Sequence, residues 1–279
     1  MQPRVVGILA VLLLAVGAGC GSSPREQGAP GPPTPSAAAS TTTTKAPYVT
    51  PPGPLERCGP QPVVVARTDF HYRVTHDPRG GKVPMVTAGH GSTVAVLLHQ
   101  TDGNGLCGWL PFAAKIVEDP SLAIIATDLC GYGDANCPDG AGSTDAASLA
   151  IDIARRDLHA RRIVLVGASM GGSIALITAV SHGQVDAAAD LSGPIEWPGM
   201  TLVRGGRALH VPVLVAMADT ESAADVRGAR DIVAHAPKGS TFLEPSAGHG
   251  YDLLLDPNGA PGPVAAPLLA WITGKPPRP

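Results

Sequence analysis

Arg162-Ile163-Val164-Leu165-Val166-Gly167-Ala168-Ser169-Met170-Gly171-Gly172 decides how the rest of the chain is read. An aliphatic run enters a glycine, Ser169 follows within a Gly-x-Ser-x-Gly, and residues 173–180 continue as an apolar helical stretch. A strand that turns this abruptly into a helix projects the serine hydroxyl above a sheet, which makes Ser169 the candidate nucleophile. The flanking glycines have a steric purpose, because side chains on so sharp a turn would collide with neighbouring strands. The amide of Met170 then lies at the helix N-terminus, where a developing oxyanion is stabilised. Gly-x-Ser-x-Gly arises by chance in glycine-rich chains, and this one has 34 glycines, so the strand-turn-helix context carries the reading.

Outward from this stretch the same alternation recurs. Residues 62–76 and 82–87 read as two early strands joined by Asp77-Pro78-Arg79-Gly80-Gly81. Apolar β-rich runs follow at 93–99, 122–128, 162–167, 185–191, 211–217 and 241–243. Between the runs at 122–128 and 162–167, Ala146, Leu149, Ala150, Ile153 and Ala154 define one apolar helical face. Strands alternating with helices predict an α/β fold with a mostly parallel eight-stranded sheet flanked by helices. Aromatics supply 4% of residues against 44% hydrophobic overall, so the core is aliphatic, as in a sheet buried on both faces. About twenty residues separate the runs at 185–191 and 211–217, too few for a large cap domain of the usual ~50 residues or more.

The ends read differently. Residues 1–19 carry Arg4, an apolar run from Val5 to Val16 and small residues before Cys20, the pattern of an export signal. The run falls short of the ~18–20 apolar residues that cross a bilayer. The small residues before Cys20 resemble the lipobox of bacterial lipoproteins, which implies acylation at Cys20 and a place on the outer face of the cell membrane; ordinary cleavage is the alternative, since Gly17 replaces the usual Leu or Val. Residues 20–54 are rich in Pro, Ser, Thr and Gly and read as a disordered tether, residues 55–274 as the folded domain, and residues 275–279 as a tail. In an oxidising compartment Cys58, Cys107, Cys130 and Cys137 suggest two disulfides, with three connectivities open. No CxxC spacing points to a metal. The formal charge is −3 with no basic cluster, which argues against nucleic acid.

From about residue 60 to 274 the chain resembles the α/β-hydrolase superfamily, on the Gly167–Gly171 motif, on Leu97-Leu98-His99-Gln100 at a strand end, and on Asp128-Leu129-Cys130-Gly131-Tyr132-Gly133. Many members have His-Gly where this chain has His99-Gln100, and by position the second oxyanion amide is that of Thr101. The order nucleophile, acid, histidine along the chain selects His249, in Ser246-Ala247-Gly248-His249-Gly250, as general base. His90, in a second Gly-His-Gly, precedes the nucleophile and reads as a turn residue. Two acids follow the run at 211–217. Family members often show Gly-x-x-Asp there; Ala218 takes the Gly position and favours Glu221, with Asp219 the alternative two positions early. The resemblance implies a cofactor-independent, monomeric serine hydrolase cleaving a small-molecule or acyl ester through an acyl-enzyme. Thioesterases, peptidases and acyltransferases share the triad, and some surface lipoproteins keep the fold only to bind.

Gly103-x-Gly105-x-x-Gly108 with Asp128 downstream matches a dinucleotide fingerprint in form, but Gln100-Thr101-Asp102 separates it from the strand and Pro111 follows closely. Trp109, Tyr132 and Trp197 are candidates equally for pocket walls and for core.

Overall fold

Parallel strands must be covered on both faces, and the apolar runs meet that demand in one sheet. The computed structural model describes residues 47–77, 80–102, 104–142, 144–197, 200–201 and 206–275. Its sheet comprises β1 (His71–His76), β2 (Lys82–Gly89), β3 (Thr93–Leu98), β4 (Leu122–Thr127), β5 (Arg162–Ala168), β6 (Ala187–Leu191), β7 (Val213–Ala216) and β8 (Thr241–Leu243). The spatial order is β8-β7-β6-β5-β3-β4-β2-β1. Strands β3 to β8 run parallel, while β2 is antiparallel to both β1 and β4.

Among the described residues six α-helices cover the sheet: α1 (Val63–Arg67), α2 (Leu110–Ile116), α3 (Asp145–Arg156), α4 (Met170–Ser181), α5 (Ala223–His235) and α6 (Ala265–Ile272). Strand residues divide between the faces with period two, as the pleat requires. Ala95, Leu97, Val164 and Val166 join the core beneath α1, α2 and α6. Val94, Val96, Leu98, Ile163 and Leu165 join the core beneath α3, α4 and α5. In α3, Ala146, Ala150, Ile153 and Ala154 are buried, as the helical spacing predicts.

The order in which strands are added reverses about β3, which has β4 on one side and β5 on the other. In an open α/β sheet such a switch point leaves a crevice beyond the carboxyl ends of the two strands. Leu98 pairs with Gly167, so the loop after β3 and the turn after β5 leave the sheet side by side. The connection from β6 to β7 carries, in its described part, a small hairpin of Glu196–Trp197 with Met200–Thr201.

The structure differs from the sequence expectation at the N-terminal edge. Residues 62–76 are not one strand: Val63–Arg67 is helical and β1 begins at His71. Three consecutive valines favour a strand, but Pro62, with φ −52°, precedes the turn, and Val65 buries against the core. Tyr48–Val49 pairs with Gln61–Pro62, ahead of the expected start at Leu55. The expected leader, Cys20, the expected tether up to residue 46 and residues 276–279 lie outside the described residues.

Candidate active site

Ser169 stands between β5 and α4 with φ 49° and ψ −120°, a left-handed conformation unusual for a residue with a side chain. Such a conformation costs on the order of 1–3 kcal/mol and persists only where its surroundings enforce it. Here they do. A Cβ on Gly167 would lie 1.9 Å from the Gly171 carbonyl oxygen, and one on Gly171 would lie 2.2 Å from the Leu98 oxygen on β3. The Ser169 amide donates to Leu191 O at 2.7 Å, and Ser169 O accepts from Gly172 N at 2.7 Å. Met170 opens α4, so its amide is among those an α-helix leaves without an internal acceptor.

The loops after β7 and β8 are bonded to each other. Met217 N donates to Leu243 O and Asp219 N to Pro245 O, each at 3.0 Å. A turn closed by Glu221 N to Ala218 O at 3.1 Å then aims Glu221 at the second loop. His249 Nδ1 lies 2.6 Å from Glu221 Oε1, while Asp219 is exposed and enters the network through its backbone amide. The side chains of His249 and Glu221 are 47% and 22% exposed, so the pair faces solvent on one side. A Cβ on Gly250 would lie 3.5 Å from Ala168 Cβ, which sets the histidine loop beside the residue preceding Ser169. Among the described residues no hydrogen bond joins Ser169 to His249.

The loop after β3 is fixed by a buried imidazole. His99 Nδ1 lies 2.6 Å from Gln100 O, and its Nε2 lies 2.9 Å from Leu129 N. A carbonyl only accepts and an amide only donates, so the proton sits on Nδ1. Burial lowers the His99 pKa and keeps the ring neutral in that tautomer. The Gln100 amide donates to Tyr251 Oη at 3.3 Å. Thr101, next along, is exposed.

Asp128, fully buried, accepts from Leu106 N at 2.8 Å and Asp134 N at 2.9 Å. Its charge partner is Arg57, whose Nη2 lies 3.0 and 2.8 Å from the two carboxylate oxygens. The disulfides are Cys58–Cys107 and Cys130–Cys137, with Cα separations of 5.3 and 5.4 Å. Cys58 follows Arg57, so the N-terminal segment is fastened twice to the loops beyond β3 and β4.

Sequence reasoning missed Arg57, Asp190 and Tyr251. Asp190, at the end of β6, is buried, and desolvation raises its pKa to about 7 despite a 2.7 Å hydrogen bond from Gly193 N. Gly172, the glycine after the motif, leaves room for it: a Cβ there would lie 2.0 Å from Asp190 Oδ1. The glycine spacing around residue 105 has a packing purpose, since Cβ atoms on Gly105 and Gly108 would meet the Asp128 carboxylate and the Tyr251 ring. Trp109 is a core residue, fully buried with its ring edge-on to Tyr251 at 5.1 Å. Tyr132 packs edge-on against His99 at 5.5 Å. The Trp197 side chain lies outside the description.

No protein-family model and no curated protein matches the sequence. Solved structures do match. An esterase from Pyrococcus furiosus superposes with a TM-score of 0.57 at 11% identity, over 75% of this chain and 90% of its own. An α/β hydrolase from Sphaerobacter thermophilus gives 0.55 at 15% identity, over 72% and 100%. The thioesterase domain from the curacin biosynthetic pathway gives 0.53 at 15% identity, over 73% and 99%. At these identities the likeness speaks to architecture, and together with the strand order it identifies the fold of this chain as that of the α/β hydrolases.

Proposed function

We propose that this chain is a serine hydrolase that cleaves carboxylic esters through an acyl-enzyme, with Ser169 as nucleophile, His249 as general base and Glu221 as the acid that orients it. The observation that carries the reading is the 2.6 Å contact of His249 Nδ1 with Glu221 Oε1, on a loop packed beside the strained Ser169 turn. The Ser169 proton passes to His249 Nε2 as Oγ bonds the substrate carbonyl carbon, and the Glu221 carboxylate stabilises the imidazolium. The carbonyl electron pair moves to oxygen, which the amides of Met170 and Thr101 hold. Thr101 is the donor of choice in its loop because the Gln100 amide is engaged by Tyr251. Collapse of the intermediate expels the alcohol, protonated by His249, and water then releases the acyl group by the same steps in reverse roles. Esters are favoured because they yield to such a triad more readily than amides.

Ser169→Ala should abolish hydrolysis of short-chain nitrophenyl esters while leaving the thermal midpoint nearly unchanged. Turnover within tenfold of wild type would defeat the assignment. One observation favours a second reading, a binding protein on the same fold: the Ser169–His249 hydrogen bond is not formed. Catalytic hydrogen bonds often tighten only when substrate is bound, so the hydrolase reading stands first.

The two disulfides fit an exported protein. We extend the proposal to acylation at Cys20 and anchorage to the outer face of a bacterial membrane. Detergent-phase partitioning of the full chain against Cys20→Ser tests it; equal partitioning of both into the aqueous phase would indicate ordinary secretion.

A further inference from the structure

We infer that Gln100 and Tyr251 are positioning residues, forming a clasp that holds the loop after β3 in register with the loop that carries His249. The inference rests on the hydrolase reading for its catalytic consequence. Two reciprocal hydrogen bonds make the clasp: Gln100 N donates to Tyr251 Oη at 3.3 Å, and Tyr251 N donates to Gln100 Oε1 at 3.4 Å. The partners are 151 residues apart in sequence. Each is a near neighbour of a proposed participant, Gln100 directly before Thr101 and Tyr251 two residues after His249.

The surroundings are shaped for these two side chains. Gly250, with φ 54°, has no Cβ, and one built there would lie 2.1 Å from Gln100 Oε1. The Gln100 side-chain amide thus occupies the space over Gly250, at a position where many members of the resembling family have glycine. Gly108 likewise admits the Tyr251 ring, whose Cε2 would lie 2.3 Å from a Cβ at that position. Trp109 packs edge-on against the same ring. Burial raises the Tyr251 pKa well above its ordinary value, so Oη stays a neutral hydroxyl.

Both ends of the clasp are fixed to their own loops, by His99 Nδ1 on Gln100 O and by Asp252 N on His249 O at 3.0 Å. A shift at one end is therefore carried to the other. The distance between an oxyanion donor and the general base matters steeply, since a displacement of about 1 Å can cost on the order of 100-fold in rate.

The test uses Tyr251→Phe, which keeps the ring and removes Oη, together with Gln100→Ala. Amide hydrogen exchange should speed up by at least about tenfold in residues 99–102 and 249–253 together in either variant. In ester hydrolysis kcat should fall about 10- to 30-fold with KM unchanged, and affinity for a phenylboronic acid, which mimics the tetrahedral intermediate, should fall in parallel. The double variant should lie within about threefold of the weaker single variant, because both substitutions break one device. Faster exchange confined to one loop, or kcat within twofold of wild type in both single variants, would overturn the inference. If the wild type hydrolyses no ester while both loops loosen together in the variants, the esterase reading fails and the clasp stands.

Discussion

The loops beyond β3 and β4 and the loops beyond β7 and β8 face each other across the Ser169 turn, and they are held by different means. The first pair is secured by the Cys58–Cys107 and Cys130–Cys137 disulfides, by buried His99, and by the Arg57–Asp128 ion pair. The second pair is held without a disulfide, by the backbone hydrogen bonds within and between its loops, the half-exposed His249–Glu221 contact and the Tyr251 end of the clasp. An oxyanion site must be preorganised before charge develops, so rigidity serves it directly. A general base has to accept and return a proton, and its loop takes its register from the first pair through the Gln100–Tyr251 clasp. The difference teaches that the disulfides and the buried ion pair are concentrated on the side to which the proposed oxyanion amide of Thr101 belongs, and that the N-terminal segment supplies Arg57 and Cys58 to them.

The largest expected effect falls on the lightly held side. Glu221→Gln should lower kcat about 10⁴-fold with little change in KM, because the imidazolium loses its partner. Asp219→Asn should stay within a few-fold of wild type, as exposed substitutions usually do. Steady-state kinetics on both variants would separate them, and the opposite pattern would move the acid to Asp219.

Next comes the braced side. Arg57→Ala leaves a buried carboxylate without its cation, a loss of about 3–5 kcal/mol. Urea denaturation should register it, and Arg57→Ala with Asp128→Asn should recover part of the stability. If Arg57→Ala costs no more than a surface ion pair, under ~1 kcal/mol, the bracing account is wrong.

The two disulfides can be compared directly. Their sequence separations are 49 and 7 residues. Loop-closure entropy then assigns about 4 kcal/mol to Cys58–Cys107 and about 2 kcal/mol to Cys130–Cys137. Paired Cys→Ala variants, melted under identical conditions, should keep that order.

The last comparison concerns Asp190, beneath the turn itself. Its folded pKa of about 7 lies above the unfolded value of 3.8, so the folded state binds the proton more tightly. Stability from this group is fully present below about pH 4, declines as pH rises toward 7, and is flat beyond. The other carboxylate acting on it is Asp225, which raises its pKa further. Asp190→Asn should therefore gain more in thermal midpoint at pH 8 than at pH 5; an equal change at both would show that Asp190 ionises normally.

Much of this arrangement was legible in the sequence because it rests on local spacing. The strand-turn-helix around Ser169, the helical face from Ala146 to Ala154, and the strand alternation are short-range patterns, and each is present in the structure. The preference for Glu221 over Asp219 rests on the resemblance, with Ala218 at the Gly of the family's Gly-x-x-Asp, and the structure brings that carboxylate to His249. What spacing does not carry is partnership between distant segments. Arg57 meets Asp128 across 71 residues and Gln100 meets Tyr251 across 151, and neither has a local pattern. The Val63–Arg67 helix was hidden for a related reason, since packing against the core overrides the strand preference of its valines. The cysteine pairing also needed the fold, because only three-dimensional proximity chooses among three connectivities.

The central claim, that Ser169 is a nucleophile activated by His249, is tested most directly by treating the purified protein with a fluorophosphonate and locating the adduct by mass spectrometry. The account predicts one adduct per chain, on Ser169, absent in Ser169→Ala and slowed by several orders of magnitude in His249→Ala. A folded protein that takes up no label, or takes it up at another residue, would contradict it.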